Sequence, residues 1–190
     1  MKNQWIVPDI HGHLKTLKFL IEDRIALSKS DSIYFLGDYI DRGPDSKGVI
    51  DFIMNLQNSG YDVHCIRGNH EDYCIRAWES DQNCFLFRSK IEKDWRKNGA
   101  LRTLQSFGVK RPREIEQRYI DWMKQTEYYV ELDDYILLRL NTVSSKVSAV
   151  WIVLALDWKP RWVTIISVIC SDKSTLDISK APAIKVPLPA

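Results

Sequence analysis

Up to Glu71 the chain repeats one order of apolar and polar positions: a short apolar run, a polar loop, then a longer periodic stretch. Trp5-Ile6-Val7 reads as a first strand that ends at Pro8-Asp9-Ile10-His11-Gly12-His13. Leu14, Leu17, Leu20, Ile21 and Ile25 then recur at helical spacing. Asp31-Ser32 turns the chain into a second strand, Ile33-Tyr34-Phe35-Leu36, which runs into Gly37-Asp38-Tyr39-Ile40-Asp41-Arg42-Gly43-Pro44. Asp45 or Ser46 can cap a helix with Val49, Ile50, Ile53, Met54 and Leu56 on its inner face, stopped by Ser59-Gly60. Tyr61 to Ile66 is a third strand, ahead of Arg67-Gly68-Asn69-His70-Glu71. This alternation predicts a largely parallel α/β arrangement with functional loops at the strand C-termini.

From about Asp72 to Lys124 the pattern turns helical. Trp78, Phe85, Phe87, Ile91, Trp95, Leu101, Leu104 and Phe107 are spaced to pack, and Gly108 can end a helix. Pro112 can start another through Ile115, Tyr119, Ile120, Trp122 and Met123. The segment is expected to flank the sheet, with contact to substrate as the alternative. Tyr128–Leu132 and Tyr135–Leu138, joined at Asp133-Asp134, read as a β-hairpin. Val147–Leu156 and Trp162–Cys170 are β-rich, and a tail with Pro182, Pro187 and Pro189 is expected to be frayed or extended.

Composition narrows the classes. The 190 residues fit one domain, 1–190, with an ordinary soluble balance of 45% hydrophobic and 27% charged residues. A net charge of +2 without Lys/Arg blocks gives no footprint for nucleic acid or a membrane surface. No apolar run is long enough for a transmembrane helix, and the N-terminus does not read as a signal peptide. Cys65, Cys74, Cys84 and Cys170 lack CxxC spacing, which points to packing cysteines in a reduced, cytoplasmic setting.

The charges placed beside apolar strand ends are what folding alone does not account for. Asp38, Asp41 and Arg42 follow a buried run, where unpaired charge is costly, and a metal ion with a phosphate would compensate them. Three loops carry such groups: Asp9-x-His11, Gly37-Asp38-x-x-Asp41-Arg42-Gly43 and Gly68-Asn69-His70-Glu71. The 25 residues between His11 and Gly37, and the 24 between Gly43 and Gly68, each allow one helix and the next strand. Neighbouring parallel strands would bring the loops to one sheet edge. The mixed oxygen and nitrogen donors suit Mn²⁺, Fe or Zn²⁺ better than Ca²⁺. Glu71 is read as support for its loop or helix, His13 as an exposed residue in a first helical turn, and His64 as structural.

Taken together and in this order, the three loops resemble those of the calcineurin-like metallophosphoesterases. The long form Gly-Asp-Tyr-Ile-Asp-Arg-Gly with Gly-Asn-His-Glu is similar to the phosphoprotein-phosphatase branch, which includes serine/threonine protein phosphatases and symmetrical dinucleoside-tetraphosphatases. The resemblance covers residues 5–137 and leaves 138–190 as an atypical C-terminal segment. It implies an α/β/β/α sandwich with a helical flank and a metal-dependent phosphoester hydrolase. Asp9, His11 and Asp38 would bind a first metal; Asp38 would bridge to a second that Asn69 also holds. Arg42 would grip phosphate oxygens, and His70, oriented by Asp41, would protonate the leaving group. The implied partner is a phosphorylated substrate, either a phosphoprotein or a small phosphoester. A dinucleoside polyphosphate is the alternative substrate.

The C-terminal third departs from this pattern. The family supplies two further metal-ligand histidines, yet no histidine follows His70, and Arg139 stands about where the first belongs. The last 56 residues, from Tyr135, also contain no Glu and no Gly, and Pro8 replaces a glycine that usually precedes the first aspartate. Two explanations stand: a shifted reading frame from about Leu138, or divergence to a one-metal or non-catalytic phosphate- or metal-binding site.

Overall fold

The computed structural model describes residues 2–82, 87–133, 135–140, 150–155, 163–165 and 184–186. Strands β1 (Gln4–Val7), β2 (Ser32–Phe35) and β3 (Asp62–Cys65) follow the predicted order. They join β7 (Val163–Ile165) and β8 (Ile184–Val186) in one sheet of order β3-β2-β1-β7-β8. β1, β2, β3 and β7 are parallel, and β8 is antiparallel to β7. A second sheet holds β4 (Tyr129–Glu131), β5 (Tyr135–Leu140) and β6 (Val150–Ala155), all antiparallel.

The period-2 alternation of β1 and β2 divides their side chains between two cores. Val7, Ile33 and Phe35 join a large core shared with the helices. Ile6, Tyr34 and Leu36 face the second sheet through Ile66, Val130 and Leu137. That two-sided burial is why the strands read as continuous apolar runs.

The helices are α1 (Leu14–Lys18), α2 (Ser46–Asn58), α3 (Asn69–Gln82), α4 (Lys90–Lys97), α5 (Ala100–Ser106) and α6 (Gln117–Gln125). All six add side chains to the large core, so among the described residues the helical layer lies on one side of the α/β sandwich. The predicted helix through Ile25 widens after Lys18 into a π-helical stretch, Phe19–Ile25, closed by Ala26 in the left-handed region. The Asp45 side chain caps α2 by accepting from the Gly48 N–H at 2.8 Å.

Several finer expectations change. Leu101 is 53% exposed, because the buried stripe of α5 runs through Ala100, Thr103 and Leu104 instead. Phe87 is 79% exposed, lying ahead of the Ser89 cap of α4, and Cys84 and Phe85 lie outside the described residues. His13 is half-buried rather than exposed. His64 is structural as read, stacked on Tyr34 at 4.7 Å and paired with Asp62 at 3.0 Å. The predicted hairpin forms with Val130 opposite Leu137, and Asp134 lies outside the described residues. The β-rich runs appear as β6 and β7; 147–149, 156, 162 and 166–170 lie outside the described residues. Part of the tail is ordered into β8, while Pro182, Pro187 and Pro189 also lie outside them.

Register then assembles the loops. Val7 pairs with Phe35, and Phe35 with Cys65, so three parallel strands end level and release their loops side by side. The Ile10 and His11 N–H groups donate to the Asp38 carbonyl at 3.1 and 2.7 Å, and the Gly12 N–H donates to Tyr39 at 2.8 Å. The second and third loops are joined through the buried Glu71 carboxylate. It accepts from the N–H groups of Asp38, Tyr39 and Gly68, each at 2.9 Å, and of Ile40 at 3.4 Å. Glu71→Gln should therefore cost on the order of 3 kcal/mol, since its NH₂ must face N–H donors that a carboxylate satisfies. A lowered urea midpoint at unchanged denaturant slope would show it; an unshifted midpoint would rule it out.

Candidate active site

The loops hold their side chains on strained backbone. His11, Asp38, Asp41 and Arg42 have φ of 45°, 51°, 71° and 63°, a region that non-glycine residues occupy only when their surroundings impose it. Close approach adds a second constraint at Gly68, where a Cβ would run into the Asp38 side chain and backbone and the Glu71 carboxylate. Only glycine lets the third loop lie this near the second.

Asp9, His11 and Asp38 converge as the spacing predicts. His11 Nε2 lies 3.9 Å from Asp9 Oδ2 and 3.6 Å from Asp38 Oδ2. The other ring nitrogen, Nδ1, donates to the Ile40 carbonyl at 2.9 Å, because a carbonyl can only accept. The neutral ring therefore keeps its lone pair on Nε2. Burial pushes the His11 imidazole down to about 3, against the pull of the Asp38 charge. Nε2 is buried with no hydrogen-bond partner, an atom type that folding alone leaves unsatisfied only at a cost. A lone pair facing carboxylates fits a divalent cation, and the carbonyl on Nδ1 is the usual orienting contact of a metal-ligating histidine.

His70 completes the cluster. Its ring meets His11 edge to face at 4.7 Å, and His11, Asp38 and His70 offer donor atoms within 4.8 Å of one another. His70 Nδ1 donates to Asp41 Oδ2 at 2.6 Å. Nε2 then faces Asp38 Oδ2 at 3.9 Å and Arg42 Nη2 at 3.4 Å. Burial favours the neutral ring, but the Asp41 hydrogen bond and the charges of Asp38, Asp41 and Glu71 outweigh it and hold the His70 pKa above its ordinary value. Arg42 is exposed at the mouth of the site. Asn69 heads α3, half-buried, next to His70.

Three supporting residues go beyond the sequence reading. Glu71 was legible as loop support, but not its four backbone N–H partners. Trp95 and Thr103, from α4 and α5, donate to Asp41 at 2.8 and 2.6 Å. In sequence Trp95 is one aromatic in a packing row, and nothing local marks its indole N–H.

Similarities to known proteins point the same way. Over 78 residues the chain is 36% identical to a zinc-dependent endopolyphosphatase of Saccharomyces cerevisiae, covering 40% of this chain and 23% of that protein. Over 83 residues it is 35% identical to serine/threonine-protein phosphatase 2 of Escherichia coli K12, covering 43% and 36%. Over 77 residues it is 31% identical to a symmetrical bis(5'-nucleosyl)-tetraphosphatase of Pseudomonas putida, covering 40% and 25%. The matched stretch thus spans about a quarter to a third of these relatives' lengths. Their names fit the phosphoprotein-phosphatase branch. The profile described as calcineurin-like phosphoesterase matches residues 3–186, past the limit of the motif resemblance at Leu137, and the chain belongs to that family.

Proposed function

We propose that this chain is a metal-dependent phosphoester hydrolase acting on a phosphoprotein or a small phosphorylated molecule, with residues 1–190 as one domain. The observation that carries the reading is the buried, unpartnered His11 Nε2 facing Asp9 and Asp38, beside the His70–Asp41 pair. Asp9, His11 and Asp38 hold the metal, and their mixed donors favour Mn²⁺, with Fe or Zn²⁺ as alternatives. Asp38 and Asn69 are two ligands of a second site that this chain completes with no later histidine, so a single ion is the expected load. A divalent ion there supplies Lewis acidity and acidifies a water nucleophile.

The chain's own residues do the rest. The Arg42 guanidinium binds non-bridging phosphoryl oxygens through its planar fork. As the water oxygen bonds to phosphorus and the ester P–O bond breaks, the leaving oxygen takes the His70 Nε2 proton. Asp41 holds Nδ1–H, which keeps Nε2 turned to the substrate. The Asp41 hydrogen bond and the surrounding carboxylates favour a proton on His70, which suits it as the acid. Buried free thiols at Cys65 and Cys74 support a reduced, cytoplasmic setting.

Two other readings have their own observations. The tetraphosphatase relative favours a dinucleoside polyphosphate as substrate. The lack of any histidine after His70 favours a phosphate- or metal-binding protein without turnover.

With Mn²⁺ the chain should hydrolyse p-nitrophenyl phosphate, lose that activity in EDTA and regain it on metal return. On phenyl phosphate, whose leaving group needs a proton, His70→Asn should lower kcat by about a hundredfold to ten-thousandfold with Mn²⁺ still bound. Metal bound without turnover under any divalent ion would select the non-catalytic reading. Metal analysis should find one ion per chain, and two would mean ligands beyond those named. A higher kcat/KM for a phosphoserine peptide than for diadenosine tetraphosphate is expected; the reverse order would select the dinucleotide.

A further inference from the structure

The helical flank reaches the candidate site more deeply than a cover needs to. Trp95 is fully buried on α4, and its indole Nε1–H donates to Asp41 Oδ2 at 2.8 Å. That oxygen is the one that accepts from His70 Nδ1 at 2.6 Å. Thr103, buried on α5, donates through Oγ1 to the other carboxylate oxygen, Oδ1, at 2.6 Å. The same hydroxyl accepts from the Asp41 N–H at 2.8 Å and lies 3.0 Å from Ser46 Oγ. Between the two helices, Gly99 has φ of 107°, and a Cβ there would lie 2.9 Å from the Arg42 backbone nitrogen.

A carboxylate on a short side chain can rotate about its terminal torsion unless both oxygens are held. Here each oxygen has its own donor from the flank, and the Asp41 backbone is gripped as well. The plane of the carboxylate therefore has one orientation, and the direction of Oδ2 sets the plane of the His70 ring. A buried indole N–H needs an acceptor, and the one Trp95 takes is the oxygen that already accepts from His70, which couples α4 to the His70 ring. Leaving that carboxylate short of a donor would also cost free energy in so dry a place, so the arrangement is maintained cooperatively.

We propose that Trp95 and Thr103 are positioning residues of the phosphoryl-transfer centre, fixing the Asp41 carboxylate so that His70 presents Nε2 to the leaving-group oxygen. This rests on the hydrolase reading for its catalytic consequence, but not for the geometry itself. Leaving groups differ in how much they need a proton: p-nitrophenolate departs readily without one, and phenolate does not. Loss of orientation should penalise phenyl phosphate selectively.

The test uses the full chain with Trp95→Phe, Thr103→Val and Thr103→Ser, each shown to be folded by its circular dichroism and thermal transition. Thr103→Val is nearly isosteric and keeps a partner for the Asp41 N–H in Ser46 Oγ at 3.1 Å. For Thr103→Val and Trp95→Phe, kcat on phenyl phosphate should fall about tenfold or more, with KM little changed, and fall less than about threefold on p-nitrophenyl phosphate. Thr103→Ser should recover most of the loss. In parallel, the His70 Nδ1 proton should give a far-downfield NMR signal in the wild-type chain without added metal. It should weaken or move upfield in the two disruptive variants and return in Thr103→Ser. Equal rate losses on both esters, an unchanged signal in the variants, or no such signal in the wild type would overturn the proposal. If the wild-type chain hydrolyses nothing, the hydrolase reading fails, while the NMR comparison still decides the positioning.

Discussion

The site depends on one buried carboxylate that performs no chemistry. Glu71 collects the N–H groups of Asp38, Tyr39, Ile40 and Gly68, and so binds the loop after β2 to the loop after β3. Backbone amides on a tight, strained loop point inward in a concave array, which an anion stabilises strongly. The ionised side chain is buried at tolerable cost because every direction it faces offers a donor. Without that anion the left-handed conformation of Asp38 would lose its main support.

Three acids then lie within a few residues of one another in space, yet their surroundings give them different capacities. Glu71 is satisfied by backbone N–H groups. Asp41 is satisfied by side-chain donors from His70, Trp95 and Thr103. Asp38 accepts the His70 N–H at 3.3 Å and turns its other oxygen toward two imidazoles. Charge that is already fully bonded serves as scaffold, and charge facing the neutral His11 Nε2 lone pair invites a cation. The division of labour follows from which donors each carboxylate meets, not from the residue type.

The C-terminal segment illustrates how differently fold and chemistry tolerate change. Its strands need apolar, β-branched sequence, which many stretches supply, and β6, β7 and β8 do extend both sheets. A metal ligand admits far fewer replacements. Membership of the family reaches residue 186 even though the segment brings no histidine. Completing a sheet therefore asks less of the sequence than supplying a ligand does, and the polar groups gathered at the strand ends come from the N-terminal loops.

By itself the sequence determined the strand–loop–helix order, the hairpin and the residues gathered at the strand ends. Those features are local: an apolar run stopped by a glycine and followed by acids is visible within ten residues, and parallel strands leave the loops one edge on which to meet. Tertiary structure alone decided how the groups are held. The Trp95 and Thr103 donors come from 54 and 62 residues beyond Asp41, and the Ile40 carbonyl that fixes the His11 ring lies 29 residues after it. A hydrogen bond across such separations leaves no periodicity or spacing in the chain, because its partners are chosen by packing. The loop from Gly37 to Pro44 could be read as a site from its residues, but its working orientation is set by helices far along the chain and by one glutamate from the third loop.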